Sequence, residues 1–137
     1  MENAEMKSRL KAVRWSSVEM VAIGELIARL ERIYRRCRRL GAVEQDARPL
    51  DHALLSLRQE IEALQMQRES LEQGRRRMKE QISAIPDPGE RYVVYTRYIE
   101  NRDWNEISGE LQVSRTYARR LMDRGIRTMC SQWRENP

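Results

Sequence analysis

Apolar residues recur along the chain as far as Ile85 in alternating steps of three and four. Ile23, Leu26, Leu30, Ile33, Cys37 and Leu40 form one series; Leu50, Leu54, Leu57, Ile61, Leu64, Leu71, Met78, Ile82 and Ile85 form a second, with Arg68 and Arg75 also holding seam positions. This is the heptad spacing of helices that meet along a narrow apolar seam. Between the two series, Gly41 suits a position just past a helix end and Pro49 the first turn of the next helix. Pairing Leu40 with Leu50, Cys37 with Leu54, Ile33 with Leu57, Leu30 with Ile61 and Leu26 with Leu64 keeps one register throughout. The pattern therefore predicts an antiparallel coiled-coil hairpin over residues 1–85, with its turn near 41–49. The same register sets Arg68 near Ile23 and Arg75 near Ser16. The favoured reading is that both Arg stems snorkel and keep their heads in solvent. The alternatives are a hairpin that opens there, or a carboxylate such as Glu19 or Glu25 reaching an Arg. Trp15-Ser16-Ser17 interrupts the first series, with Ser17 able to cap a fresh helix, and residues before Lys7 are expected to fray.

The long second helix ends at Pro86-Asp87-Pro88-Gly89, because closely spaced prolines cannot continue it, and this marks a boundary before a module over residues 86–137. From Tyr92 to Met129 the spacing is that of a helix, a turn and a second helix. Asp103-Trp104-Asn105-Glu106 has the form of a capping box, followed by an apolar edge at Ile107 and Leu111. Gln112-Val113 makes the turn and Ser114 caps the next helix. That helix directs Ala118, Leu121, Met122, Gly125 and Ile126 inward and shows Arg115, Thr116, Tyr117, Arg119, Arg120, Arg124 and Arg127 outward. An amphipathic helix that is Arg-rich from its first turn suits insertion into a DNA major groove. The expected class is all-α: a long helical hairpin followed by a C-terminal helix-turn-helix.

Composition sharpens this picture. With 40% apolar and 34% charged residues and no Phe, the chain favours long helices over a compact sheet protein. Its net charge is +5, and almost all of the 26 basic residues are Arg, which forks onto phosphates and guanine edges; codon bias in a GC-rich genome would give the same excess. The runs Arg35-Arg36-Cys37-Arg38-Arg39 and Arg75-Arg76-Arg77 read first as solvated faces, and functionally as auxiliary phosphate contacts or a surface for an acidic protein. Cys37 and Cys130 lack metal-ligand or redox spacing and read as half-buried thiols in a reduced chain. The single His, His52, stands beside Asp51 with no nucleophile near, and Gly-rich phosphate loops are lacking. The expectation is a non-enzyme without metal or cofactor. The N-terminus has no signal-peptide character, and no apolar run approaches the ~20 residues that span a bilayer. The chain is thus expected to be cytoplasmic, with no membrane partner.

From Asp87 to Arg134 the sequence resembles region four of bacterial sigma factors. The likeness is carried by Arg97-Tyr98-Ile99, Asp103-Trp104-Asn105-Glu106-Ile107, Leu111-Gln112-Val113-Ser114-Arg115 and Ala118-Arg119-Arg120-Leu121. A helical hairpin followed by this module is similar to the small sigma-like transcriptional regulators of phages and mobile elements, including late-gene activators of the ArpU type. The resemblance implies that Ser114 is the N-cap and first phosphate contact of the recognition helix. It makes Arg115, Thr116, Tyr117, Arg119 and Arg120 groove-facing, with Arg124 further along the same DNA-binding surface. Ile107, Leu111, Val113, Ala118 and Leu121 become packing positions, and Trp104 anchors the middle helix beside Tyr95 and Ile99. Two positions depart from the family pattern. Gln112 stands where Gly is common, because the backbone there is often left-handed, and Ser108 stands where Ala is usual.

The hairpin leaves no room for the promoter-melting segment of a complete sigma factor. The implied partners are double-stranded DNA, RNA polymerase and a second copy of the chain. One rival reading is a phage DNA-packaging recognition subunit, although such proteins usually place the helix-turn-helix first. Another is a protein-interaction adaptor working through the hairpin, which would more often show apolar residues where Arg115, Arg119 and Arg120 stand.

Overall fold

The structure, a computed structural model, describes residues 1–42 and 48–133. Its described residues form five helices and no strand: α1 (Asn3–Gly41), α2 (Arg48–Ser83), α3 (Pro88–Tyr98), α4 (Trp104–Leu111) and α5 (Arg115–Gln132). The described residues are all-helical in class, as the periodicity predicts. Residues 43–47 of the expected turn lie outside the described residues. Gly41 does not act as a left-handed cap: it is still helical, and no glycine has a positive φ. Pro49 does fall in the first turn of α2, where its missing N–H has no helical partner to lose. No described helix is long and apolar enough to cross a membrane.

The three short helices begin at side-chain caps. Asp87 accepts from the Glu90 N–H at 2.8 Å ahead of Pro88, and Asp103 accepts from the Glu106 N–H at 2.8 Å. Ser114 accepts from the Tyr117 N–H at 3.0 Å. Each cap satisfies one of the N–H groups that a helix start leaves without an intrahelical acceptor.

The described residues pack as two compact units, one within residues 17–72 and one of residues 1–16 with 73–133. In the first, Ile23, Ile27 and Leu30 of α1 are buried with Ile61 of α2, flanked by Leu26, Leu57, Leu64 and Leu71. Arg58 donates to the Tyr34 hydroxyl at 3.2 Å, and Arg68 lies exposed against Gly24. Burial declines toward the end of α1: Ile33 is 40% and Leu40 is 49% exposed, although both hold seam positions. Two helices can cover only one side of each other, so seam residues without a third layer stay partly wet. Cys37 and Cys130 are free, half-buried thiols.

The second unit does not begin at Pro86. Met6 and Leu10 of α1 and Met78, Ile82 and Ile85 from the end of α2 share a core with Val94, Tyr98 and Ile99 of the α3 segment and Ile126 and Met129 of α5. Met6 and Leu10 are fully buried, so the expected fraying before Lys7 does not occur. Nor does α1 break at Trp15-Ser16-Ser17. Ser16 is only 3% exposed, and its hydroxyl donates to the Val13 carbonyl one turn back, a bond that lets Ser sit inside a helix.

Arg75 corrects the snorkelling expectation. Its guanidinium donates to the Val13 carbonyl at 3.1 Å, to the Ser16 hydroxyl at 3.5 Å and to the Ile99 carbonyl at 3.4 Å. The Arg in the seam is therefore a polar tie between α1, α2 and the end of α3. These partners are backbone and hydroxyl oxygens.

Candidate nucleic-acid interface

Helix α4, Gln112 and α5 are joined with a left-handed residue at the bend. Gln112 has φ 56° and ψ 44°, and its N–H reaches the Ser108 and Gly109 carbonyls. Val113 N–H donates to the Ser108 carbonyl at 3.1 Å. A Gln in this conformation costs about 1–2 kcal/mol relative to right-handed backbone, so the departure from Gly leaves the turn geometry in place at the expense of strain. Ile107, Ala118 and Leu121 are buried with Val93, and Trp104, Leu111, Val113 and Met122 pack against them. All five expected packing positions thus lie in one core, which fixes α5 against α3 and α4.

Trp104 joins this core, whereas Tyr95 and Ile99, its expected neighbours, belong to the core built on Met6 and Leu10. Instead Trp104 carries two cations. The Arg97 guanidinium lies 5.0 Å and that of Arg119 5.4 Å from the ring centroid, within the range where an aromatic face attracts a cation. Arg97 also donates to the Arg102 carbonyl at 3.1 Å. Burial lowers the pKa of Arg97, the positive charges of Arg14 and Arg119 lower it further, and Tyr98 and Asp103 oppose them. Positive charge from α3 and α5 therefore converges on Trp104, and that of Arg14 in α1 acts on Arg97. Arg97 has a signal in the sequence, an Arg closing the helix before the aromatic residue that opens the next, but it was not among the expected site residues.

Every expected DNA-binding residue is exposed. Ser114, Arg115, Thr116 and Tyr117 occupy the start of α5, Arg119 and Arg120 the next turn, and Arg124 the one after. Arg119 is turned toward α4 by its contact with Trp104, while Thr116, Arg120 and Arg124 stand opposite the buried face of α5. Asp123 interrupts this basic surface and pairs with Lys7 at 3.5 Å; both are well exposed, so the pair contributes little energy. The first turn of α5 has no acidic residue, whereas α3 and α4 carry Glu90 and Glu106 there. The positive end of the α5 dipole is consequently not neutralised by its own chain. Behind α4, the Tyr92 hydroxyl donates to Glu110, which also pairs with Arg102, and Arg102 meets Glu100 at 3.0 Å.

No protein-family model, curated protein or solved structure matches this chain.

Proposed function

We propose that this chain is a non-enzymatic, sequence-specific DNA-binding transcriptional regulator of the cytoplasm. In this reading α1 and α2 form a helical hairpin, and α4 and α5 form a sigma-like helix-turn-helix of phage or mobile-element type. The observation that carries it is the exposed start of α5. A serine-capped helix without an acidic first turn presents Arg115, Thr116, Tyr117, Arg120 and Arg124, while its other face is buried in the module core.

The chemistry follows from that arrangement. Ser114 already accepts a backbone N–H, and its own hydroxyl proton is available to a phosphate oxygen. The N-terminal N–H groups of α5 favour an anion at the same place. Arg120 and Arg124 are in position to fork onto guanine edges, each good pair discriminating by about 1–3 kcal/mol. Arg119, held on Trp104, suits the phosphate backbone flanking the groove. A single such module buries roughly 600–1,000 Å², so tight binding calls for a second contributor: another copy of the chain, or RNA polymerase engaged through the hairpin.

The test is selection from a randomised duplex library with the wild-type chain and with an Arg120→Ala/Arg124→Ala variant. A defined motif recovered by the wild type and lost in the variant supports the reading. Equal, weak and salt-sensitive binding by both proteins refutes it.

A further inference from the structure

A second concentration of positive charge lies on α1, within the unit of residues 17–72. Arg29, Arg32, Arg36 and Arg39 follow one another at steps of three, four and three, and all four are exposed. On a helix these steps keep side chains on one face. That face is turned away from the seam, since Leu26 and Leu30 lie on the side toward α2. At ~1.5 Å per residue the stripe is about 15 Å long. No ion pair joins any of the four to a described carboxylate. Glu25, also exposed, closes the stripe at its upstream end.

Neighbouring like charges at these spacings repel and disfavour the helix. The helix dipole offsets that repulsion only in the last turn, which contains Arg38 and Arg39; it does nothing for Arg29 and Arg32. A solvated face needs no such concentration of a single sign. Protein interfaces draw their energy from buried aromatic or aliphatic anchors, and the apolar side chains beside this row, Ile33 and Leu40, belong to the seam series rather than to the stripe. A closely spaced row of phosphates is the ligand that matches them: each guanidinium can fork onto phosphate oxygens, and each contact releases condensed counterions.

We propose that Arg29, Arg32, Arg36 and Arg39 form a second nucleic-acid site, which grips the phosphate backbone of duplex DNA without reading its sequence. The inference shares its polyanion with the regulatory reading above, but requires no contribution from α5. It gives the chain two separable DNA contacts: one on α5 that selects a sequence, and one on α1 that adds affinity on any sequence.

The experiment is a salt titration of binding to a random-sequence duplex. It uses the full chain and an Arg29→Gln/Arg32→Gln/Arg36→Gln/Arg39→Gln variant, with circular dichroism to verify equal helicity. Gln has a helix propensity close to that of Arg, so the fold should survive. The expected result is a log affinity against log salt slope shallower by roughly three, with the motif preference of any selected site unchanged. An unchanged slope overturns the proposal. So does an unchanged slope accompanied by lost binding to polyglutamate, which would make an acidic protein the occupant. If the wild type selects no motif while the variant still loses slope on random duplex, the regulatory reading fails and the phosphate stripe stands.

Discussion

At Gly125 α3 and α5 approach closely, and this gives a sharp test of how the proposed recognition helix is held. A Cβ added there would lie 2.8 Å from Val94 Cγ2, 3.4 Å from the Glu90 carbonyl oxygen and 3.5 Å from Glu90 Cβ. The first distance is a clash. Val94 is fully buried in the core with Ile126 and Met129, and a β-branched side chain has little freedom to turn away. The second neighbour is backbone and can retreat only if α3 moves. Overpacking of this kind costs about 1–3 kcal/mol, while replacing a helical Gly with Ala returns about 1 kcal/mol of helix propensity. Gly125→Ala should therefore destabilise by up to about 2 kcal/mol, lowering the melting temperature by roughly 4 °C per kcal/mol. Urea unfolding followed by far-ultraviolet circular dichroism should show a lower midpoint at unchanged slope.

A cycle separates the clash from any general intolerance. Val94→Ala alone removes buried methyl groups and should cost about 2 kcal/mol. Combined with Gly125→Ala it also removes the atom that is struck, so the double variant should be more stable than the sum of the single losses by about 1 kcal/mol. If Gly125→Ala stabilises by the full helix-propensity gain, or if the two effects simply add in the double variant, the close crossing is not what positions α5.

Three further outcomes follow from local geometry. Arg75→Met should cost about 1.5–3 kcal/mol in chemical denaturation, because the Val13 and Ile99 carbonyls lose a charged donor; if the guanidinium were merely solvated, the loss would be within a few tenths. Gln112→Gly should stabilise by up to about 1 kcal/mol, since it relieves the left-handed backbone at φ 56° while adding chain entropy to the unfolded state; a loss of stability would show that the Gln side chain, not the turn, matters there. Tyr98 is pushed above the ordinary tyrosine value chiefly by burial, opposed by Arg97 and Arg14 and assisted by Asp123. The folded chain thus keeps the phenol proton to higher pH than the unfolded chain, so this contribution to stability is fully present below pH about 10 and is lost as pH rises through the folded value. Tyr98→Phe should flatten the alkaline fall in stability, and an unaltered fall would assign it to other groups.

What the sequence made legible was what short-range spacing can encode. The cap at Asp103 needs only a Glu three residues on, and the cap at Ser114 needs only a helix to follow; both are in place with their hydrogen bonds. The apolar edge of Ile107 and Leu111 and the inward face of α5 are likewise periodic, and Ile107, Leu111, Ala118 and Leu121 share one core. Met6 and Leu10 carried no comparable signal. Their partners lie at the far ends of α2, α3 and α5, and two apolar residues near a terminus read equally well as a frayed end. The break expected at Ser16-Ser17 was a matter of propensity, and tertiary burial overrode it once the Ser16 hydroxyl found the Val13 carbonyl.

Arg75 is the most instructive of these residues, because its position was correct and its role was not. An Arg in an apolar seam can reach outward to water or inward to an acceptor, and the stem occupies the same helical position in both cases. The choice depends on whether acceptor oxygens converge on the guanidinium, which only the packed structure decides. Here Val13, Ser16 and Ile99 bring such oxygens from two other segments. The hydrogen bonds cost little to form because the same residues are already held by the core around Leu10 and Ile99. Apolar burial thus fixes the geometry in which one half-buried cation becomes a structural tie. The same logic applies to Arg119, whose guanidinium is oriented by Trp104, a residue itself fixed in the neighbouring core. In this fold the arginines that look alike in sequence are sorted by what the apolar cores place beside them: Arg75 onto backbone and hydroxyl oxygens, Arg97 and Arg119 onto an aromatic face, and Arg115, Arg120 and Arg124 into solvent.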